Sequence, residues 1–348
     1  MSLTTVDQGL LGTYAQYTGF KNKLINGQMQ IDQRNAGVIS TPTANPTYVL
    51  DRWRVSVSQS SKISVQQNAG SVANGGSVVA PAGFTSWFGI TSLAATSTSS
   101  DYYYLGQSIE GFNIADLGWG TANAKTVTLS FQVYSSLTGT FGGSLYNNGG
   151  ARSYPFTYSI PVANTWTTIS VTIAGDTSGT WLTTNGLGVS VNFGLGVSST
   201  FSGTAGSWSG NTYFSATGAT SVVGTNGATF YLTGVQFEKG STATSFDYRP
   251  YGTELQLCQR YYEATTNNST MIFSGDVTSG QDYYVYGNWV VPKRASPAFT
   301  PTIGAQSGFS SSTTSPTVSI SSWSVASTST ATGARKYYFF GYTASAEL

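Results

Sequence analysis

The chain has 348 residues, a net charge of +1, 39% hydrophobic and 14% aromatic residues, but only 8% charged residues, against roughly 25% in an ordinary soluble domain. It has no histidine and one cysteine, Cys258, so the usual general base, metal ligand and pH switch are missing and no intrachain disulfide can form. The charge balance offers no footprint for nucleic acid, and no apolar run of about 18 residues is present for membrane insertion.

Residues 1–24 come first, with Gly9, Gly12 and Gly19 breaking any long helix. They are expected to be an arm that packs on another structure, or else an ordered first turn of the following domain. The segment has neither a basic n-region nor a long apolar h-region, so it does not read as a secretory signal. Yet the hydroxyl- and amide-rich composition suits a neutral surface that meets glycans. A protein assembled in a bacterial cytoplasm and released by lysis, as a virion part is, reconciles the two.

Period-two alternation follows over much of residues 25–248 and predicts strands with one buried face. Ile25, Gly27, Met29 and Ile31 alternate with Asn26, Gln28, Gln30 and Asp32. The pattern returns at Trp53–Val57, Ile63–Val65, Val127–Val133, Ile169–Ile173, Leu187–Val197 and Tyr231–Phe237. Asn147-Asn148-Gly149-Gly150 reads as a hairpin loop. Ser198–Gly210 and Ala216–Gly227 read as longer loops. Many strands with frequent turn signals predict a jelly-roll β-sandwich.

Residues 249–263 break the texture. Pro250-Tyr251-Gly252 reads as a turn, and Thr253 as the cap of a short helix, with Glu254 in its first turn and Leu255, Leu257, Cys258, Tyr261 and Tyr262 on one side. Strand texture resumes in residues 264–348, where Asp282, Tyr284 and Tyr286 alternate with Tyr283, Val285 and Gly287. Trp289–Val291 and Tyr337–Tyr342 also read as strands. Pro292, Pro297, Pro301 and the runs Ser310–Ser315 and Ser327–Thr332 read as loops. The expected architecture is all-β: a jelly-roll sandwich, a short helix, and a smaller C-terminal β-sandwich domain.

Chemistry is sparse. Asp276 and Asp282 are the only close acidic pair outside the charge-dense stretch Ser245–Glu263 and the early region, and a glycosidase needs two carboxylates across one bond. No residue is assigned a catalytic role, no metal ligand set is found, and no cofactor is expected. In the dense stretch, Asp247, Arg249, Glu254, Arg260 and Tyr261 are expected to form a joint between domains or subunits, because Arg–carboxylate pairs and tyrosines give directional contact area. Cys258 reads as a small buried apolar residue. Exposed rings are the natural platform for sugars. The candidates are Trp208 and Tyr103 in the first domain, with Tyr283, Tyr286, Trp289 and Trp323 in the second. Each is weighed against a core role, since aromatic residues are mostly packed. Trp208, inside a Gly/Ser loop, is expected to be the most exposed tryptophan.

Three blocks carry a resemblance: YTGFKNKLINGQMQIDQRN (Tyr17–Asn35) with LDRWRV (Leu50–Val55), GVQFEKGSTATSFDYRPYGTELQLCQRYYE (Gly234–Glu263), and YTASAEL (Tyr342–Leu348). Together they resemble bacteriophage tail-fibre and receptor-binding proteins, particularly those of cyanobacterial and other environmental phages. That resemblance implies a homotrimer in the virion tail, an N-terminal arm held by other tail or baseplate proteins, and non-covalent adhesion to host surface glycan. A purely structural fibre or decoration protein is the alternative, with a polysaccharide depolymerase as a third reading. The first 240 residues also resemble jelly-roll carbohydrate-binding modules, whose acidic residues hold a structural calcium. Here Gln30 stands in an acidic place and Thr233-Gly234-Val235 carries no Asp, so that calcium site is expected to be lost or weak.

Overall fold

The computed structural model describes residues 20–97, 99–147, 151–265, 271–303 and 308–348. The chain forms two compact units, Met1–Arg249 and Pro250–Leu348. Most of the expected arm, residues 1–19, lies outside the described residues.

The first unit contains β1 (Thr47–Leu50), β2 (Trp53–Val57), β3 (Ile63–Gln67), β4 (Phe88–Ser92), β5 (Tyr102–Glu110), β6 (Val127–Ser135) and β7 (Gly139–Asn147). It continues with β8 (Arg152–Ile160), β9 (Thr167–Ile173), β10 (Leu187–Val197), the two-residue strands β11 (Ser202–Gly203) and β12 (Ser215–Ala216), and β13 (Thr229–Lys239). One sheet has six strands in the order β1-β2-β5-β10-β7-β8 and the other five, β3-β4-β13-β6-β9. The chain crosses repeatedly between the sheets, giving a sandwich of jelly-roll type. The inward positions of both sheets are apolar, and their side chains close the core: Trp53, Val55, Leu105 and Phe193 from one, Ile90, Leu129, Phe131 and Phe237 from the other, all buried. Phe131 meets Phe193 edge-to-face at 5.0 Å between the layers, a favoured ring geometry. Asn147 pairs with Arg152 across the β7–β8 hairpin, whose expected loop residues 148–150 lie outside the described residues.

The alternation at residues 25–31 does not become a strand. Asn26 and Met29 have positive φ (56° and 60°), and the segment folds into a loop. The Asn26 side chain holds it: Oδ1 accepts the Ile31 N–H at 3.0 Å, and Nδ2 donates to the carbonyls of Ile31 (2.8 Å) and Asp51 (3.0 Å). Ile25, Met29 and Ile31 are buried as the alternation expects, but so are Asn26 and Gln28, which it placed on the exposed side. Gly27 is required here, because a Cβ would come within 2.3 Å of the Val235 carbonyl oxygen.

The second unit opens with α1 (Tyr251–Gln259), the only α-helix among the described residues. It starts earlier than a Thr253 cap allows. Pro250 is the N-cap with φ −54°, since its ring pre-sets φ and the missing N–H has no helical partner at that end. The strands are β14 (Tyr262–Ala264), β15 (Met271–Val277), β16 (Asp282–Asn288), β17 (Ala298–Ile303), β18 (Phe309–Val318), β19 (Ser322–Ser329) and β20 (Gly333–Ser345). One sheet runs β14-β20-β15, with β17 also on β20, and the other runs β16-β19-β18. Trp289, Trp323, Val325, Phe339 and Tyr342 fill the core.

Three segments expected to be loops are strands instead. Ser310–Ser315 lies within β18, Ser327–Ser329 ends β19, and Pro301 sits in β17 opposite Tyr342. β17 and β18 each pair with a single neighbour, so a polar run is tolerated there and a proline need not donate to the ladder.

Candidate functional site

The site is built on β16. Residues Asp282, Tyr284, Tyr286 and Asn288 point away from the core, while Tyr283 is half-buried and Val285 buried. Successive side chains of a strand face opposite sides, so Tyr283 and Tyr286 cannot both present rings on one surface. The structure pairs Tyr286 with Tyr284 instead. They are 67% and 47% exposed, with ring centroids 5.8 Å apart and planes 18° from parallel. Neither phenol oxygen has a hydrogen-bond partner among the described residues.

β19 extends the face, with Tyr286 opposite Ser324 and Asn288 opposite Ser322. A shallow groove of about 450 Å³ runs beside Tyr286, lined by Asn288, Thr317, Ser319, Ser322 and Ser324. Its floor is Gly287 over the Trp323 ring, and a Cβ at Gly287 would come within 2.4 Å of that ring. The groove lining carries no ionisable group other than the Tyr286 phenol. Nearby, Asp282 is engaged by the Thr328 hydroxyl at 2.6 Å. Flat rings beside hydroxyl and amide groups suit an uncharged, hydroxylated ligand with a flat apolar face.

The other expected ring platforms fall inside. Tyr103 is fully buried and Trp323 is at 3% exposure, because β5 and β19 turn those positions inward, while Trp289, just past β16, is at 6% and packs on Phe299 and Tyr342. Tyr283 packs against Phe273 and accepts the Thr278 N–H on its phenol oxygen at 2.7 Å. Trp208 is half-buried rather than open, although six of the eight tryptophans are buried more deeply. Its ring packs edge-to-face on Trp119, Trp181 and Tyr154 at 5.2–5.4 Å, and Nε1 donates to the Ala174 carbonyl at 2.8 Å. Of the six candidates, Tyr286 alone is exposed. Tyr284 was missed, although the alternation in β16 already set it on the same face.

The charge-dense stretch divides at Arg249. Asp247 Oδ2 accepts the backbone N–H groups of Lys21 (2.9 Å) and Asn22 (3.1 Å). Arg249 donates to the Leu24 carbonyl at 3.1 Å and to the Asn22 carbonyl. Both act within the first unit. Beyond Pro250, Glu254, Cys258 and Tyr261 are buried. The Arg260 carbonyl accepts the Arg294 N–H, and the Tyr261 carbonyl accepts the Ala346 N–H, tying the helix end to the last residues. Deep in this unit Glu263 meets Lys293 Nζ at 2.5 Å and also accepts the Tyr342 hydroxyl. Burial lowers the Lys293 pKa, with Glu263 working against the shift. Burial raises that of Tyr342, helped by Glu263.

No known family profile and no curated protein matches the chain. Solved structures similar to it include the enzymatically active domain of bacteriophage CBA120 tailspike protein 4 (12% identity, TM-score 0.33, covering 63% of this chain and 21% of that chain). A putative sugar binding protein from Bacteroides thetaiotaomicron is another (13% identity, TM-score 0.34, 63% of this chain and 100% of that one). A family 11 carbohydrate-binding module from Clostridium thermocellum is a third (10% identity, TM-score 0.29, 60% and 100%). At such identities the likeness concerns fold at most.

Proposed function

We propose that this protein is a non-enzymatic adhesin that holds glycan through the Tyr284–Tyr286 face of its second unit. The observation that carries the reading is the parallel, exposed tyrosine pair beside a neutral, hydroxyl-lined groove. The sequence blocks that resemble phage tail fibres support a place in the virion tail. There a homotrimer held by its N-terminal arm would multiply weak contacts with host surface glycan.

The test is binding of the full chain to a glycan array and to host envelope extract, with Tyr284→Ala/Tyr286→Ala beside the wild type. A ring stacking is worth about 1 kcal/mol, so losing both should weaken binding about tenfold or more. Undiminished binding by the double variant would remove the site from this face. No binding of the wild type to any glycan or extract would favour a purely structural fibre or decoration protein. Release of reducing sugar from host polysaccharide would favour a depolymerase.

A further inference from the structure

A recess of about 140 Å³ lies in the first unit at the end of β13. Its wall comes from stretches distant in sequence: residues 20–23, the 3-10 turn Ala115–Leu117, and residues 238–244. The volume is several times the roughly 30 Å³ share of one liquid water, so a polyatomic group can enter. Only 8% of the chain is charged, yet Lys21, Lys23, Asp116, Glu238 and Lys239 all border this one recess.

These charges are unevenly answered. Glu238 is buried and its oxygens are taken. Oε1 accepts the Thr244 N–H and Gln236 Nε2, each at 2.8 Å, and Oε2 accepts the Thr244 hydroxyl at 2.7 Å. It shapes the loop from beneath. Asp116, half-exposed, serves two ammoniums, Lys23 at 2.6 Å and Lys239 at 3.7 Å. Lys21 Nζ donates to the Thr244 hydroxyl at 3.0 Å. Among the described residues no carboxylate lies within ion-pair distance of it. Three ammoniums against two carboxylates leave the wall net positive. The Lys23 side chain is only 13% exposed, and its Nζ also donates to the Asn113 carbonyl at 3.1 Å, so this ammonium is held in place. Ammoniums gathered in a partly desolvated recess favour an anion among them.

We infer that this recess binds the phosphate group of a phosphate monoester, with Lys21 and Lys239 as its main cationic contacts. The hydroxyl residues Ser241 and Thr242, both exposed, border the open side, and the rest of the ligand extends past them into solvent. Ammoniums carried by separate segments can approach a tetrahedral oxyanion from several directions. A flat carboxylate is better matched by the arginine fork, and no arginine lines the recess. At neutral pH a phosphate monoester carries close to two negative charges and a sulfate ester only one, so the phosphate gains more from the three lysines. This site is separate from the Tyr284–Tyr286 face, so each can fail without the other.

The experiment is calorimetric titration of the full chain with inorganic phosphate at low salt, followed by competition with a hexose phosphate, a hexose sulfate and the free hexose. Wild type should bind phosphate. The hexose phosphate should displace it, the sulfate ester should do so less well, and the free hexose should not. Lys21→Met and Lys239→Met, which keep most of the volume and drop the charge, should each weaken phosphate binding about tenfold. Tyr284→Ala/Tyr286→Ala should leave it unchanged. Asp116→Asn, which frees Lys23 and Lys239 from their carboxylate, should tighten phosphate binding. That gain keeps the inference testable should the lysine variants fail to fold. No phosphate binding by the wild type, undiminished binding by both lysine variants, weaker binding by Asp116→Asn, or displacement by the free hexose or the sulfate ester equal to that by the hexose phosphate would each overturn it.

Discussion

Arg249 donates from Nη1 to the Leu24 carbonyl at 3.1 Å, although 225 positions separate the two residues. Its guanidinium also faces the Phe20 ring at 4.8 Å and is buried. Together with Asp247 it closes the ends of the first unit on one another. Asn22 completes the clasp, accepting the Phe237 N–H and donating to the Val235 carbonyl.

Arg249→Ala should therefore destabilise the first unit by about 3 kcal/mol, since a charged donor is withdrawn from buried carbonyls. Calorimetry of the full chain should show the transition of the first unit lowered and that of the second unmoved. Loss of host binding at unchanged stability would instead make Arg249 a receptor contact.

The Glu263–Lys293 pair is almost wholly buried, at 1% and 0% side-chain exposure. Glu263→Gln leaves an unanswered buried ammonium and should cost about 3–5 kcal/mol. The double variant Glu263→Leu/Lys293→Met should recover much of that loss. Denaturant midpoints of the three proteins check this.

Alkali should unfold the protein through its buried phenols. Burial raises the pKa values of Tyr103, Tyr158 and Tyr342 above the unfolded value of 10.0, and Glu263 adds to the rise at Tyr342. The unfolded chain then ionises first, so the stabilisation is complete below pH 10 and falls as pH climbs beyond it. Tyr342→Phe should flatten part of that slope in melting temperatures taken from pH 9 to 11.5, while losing some stability at neutral pH with the hydroxyl bond to Glu263.

Calcium should not stabilise the first unit. Gln30 stands in the acidic place and donates from Nε2 to the Thr85 hydroxyl, and Thr233 in the last strand gives its hydroxyl to the Ser86 carbonyl, so neither position offers an anionic oxygen. Melting temperatures in excess calcium and in chelator should coincide. A rise with calcium would show a hard-oxygen site elsewhere in the fold.

The strands that were legible are those whose inward face is uniformly apolar, such as β6, β10 and β13. β18 was hidden because its Ser/Thr run carries no apolar alternation, and only its pairing with β19 makes it a strand. The loop at 25–31 was hidden for the opposite reason: the alternation was present, but Asn26 bonds turned the backbone. The lysine recess was hidden because Lys21, Asp116 and Lys239 lie far apart in the sequence and meet only in the fold.

Composition and alternation by themselves determined an all-β chain, a neutral surface, and which side chains of each strand share a face. Only the tertiary structure decided which face is covered. Tyr104 and Arg54 point outward from their sheet yet are buried, because β11 and β12 draw Phe214 over them, while Tyr284 and Tyr286 point outward and stay open. Alternation is a property of one strand, but burial depends on what other segments lay across it, and those segments come from distant parts of the chain.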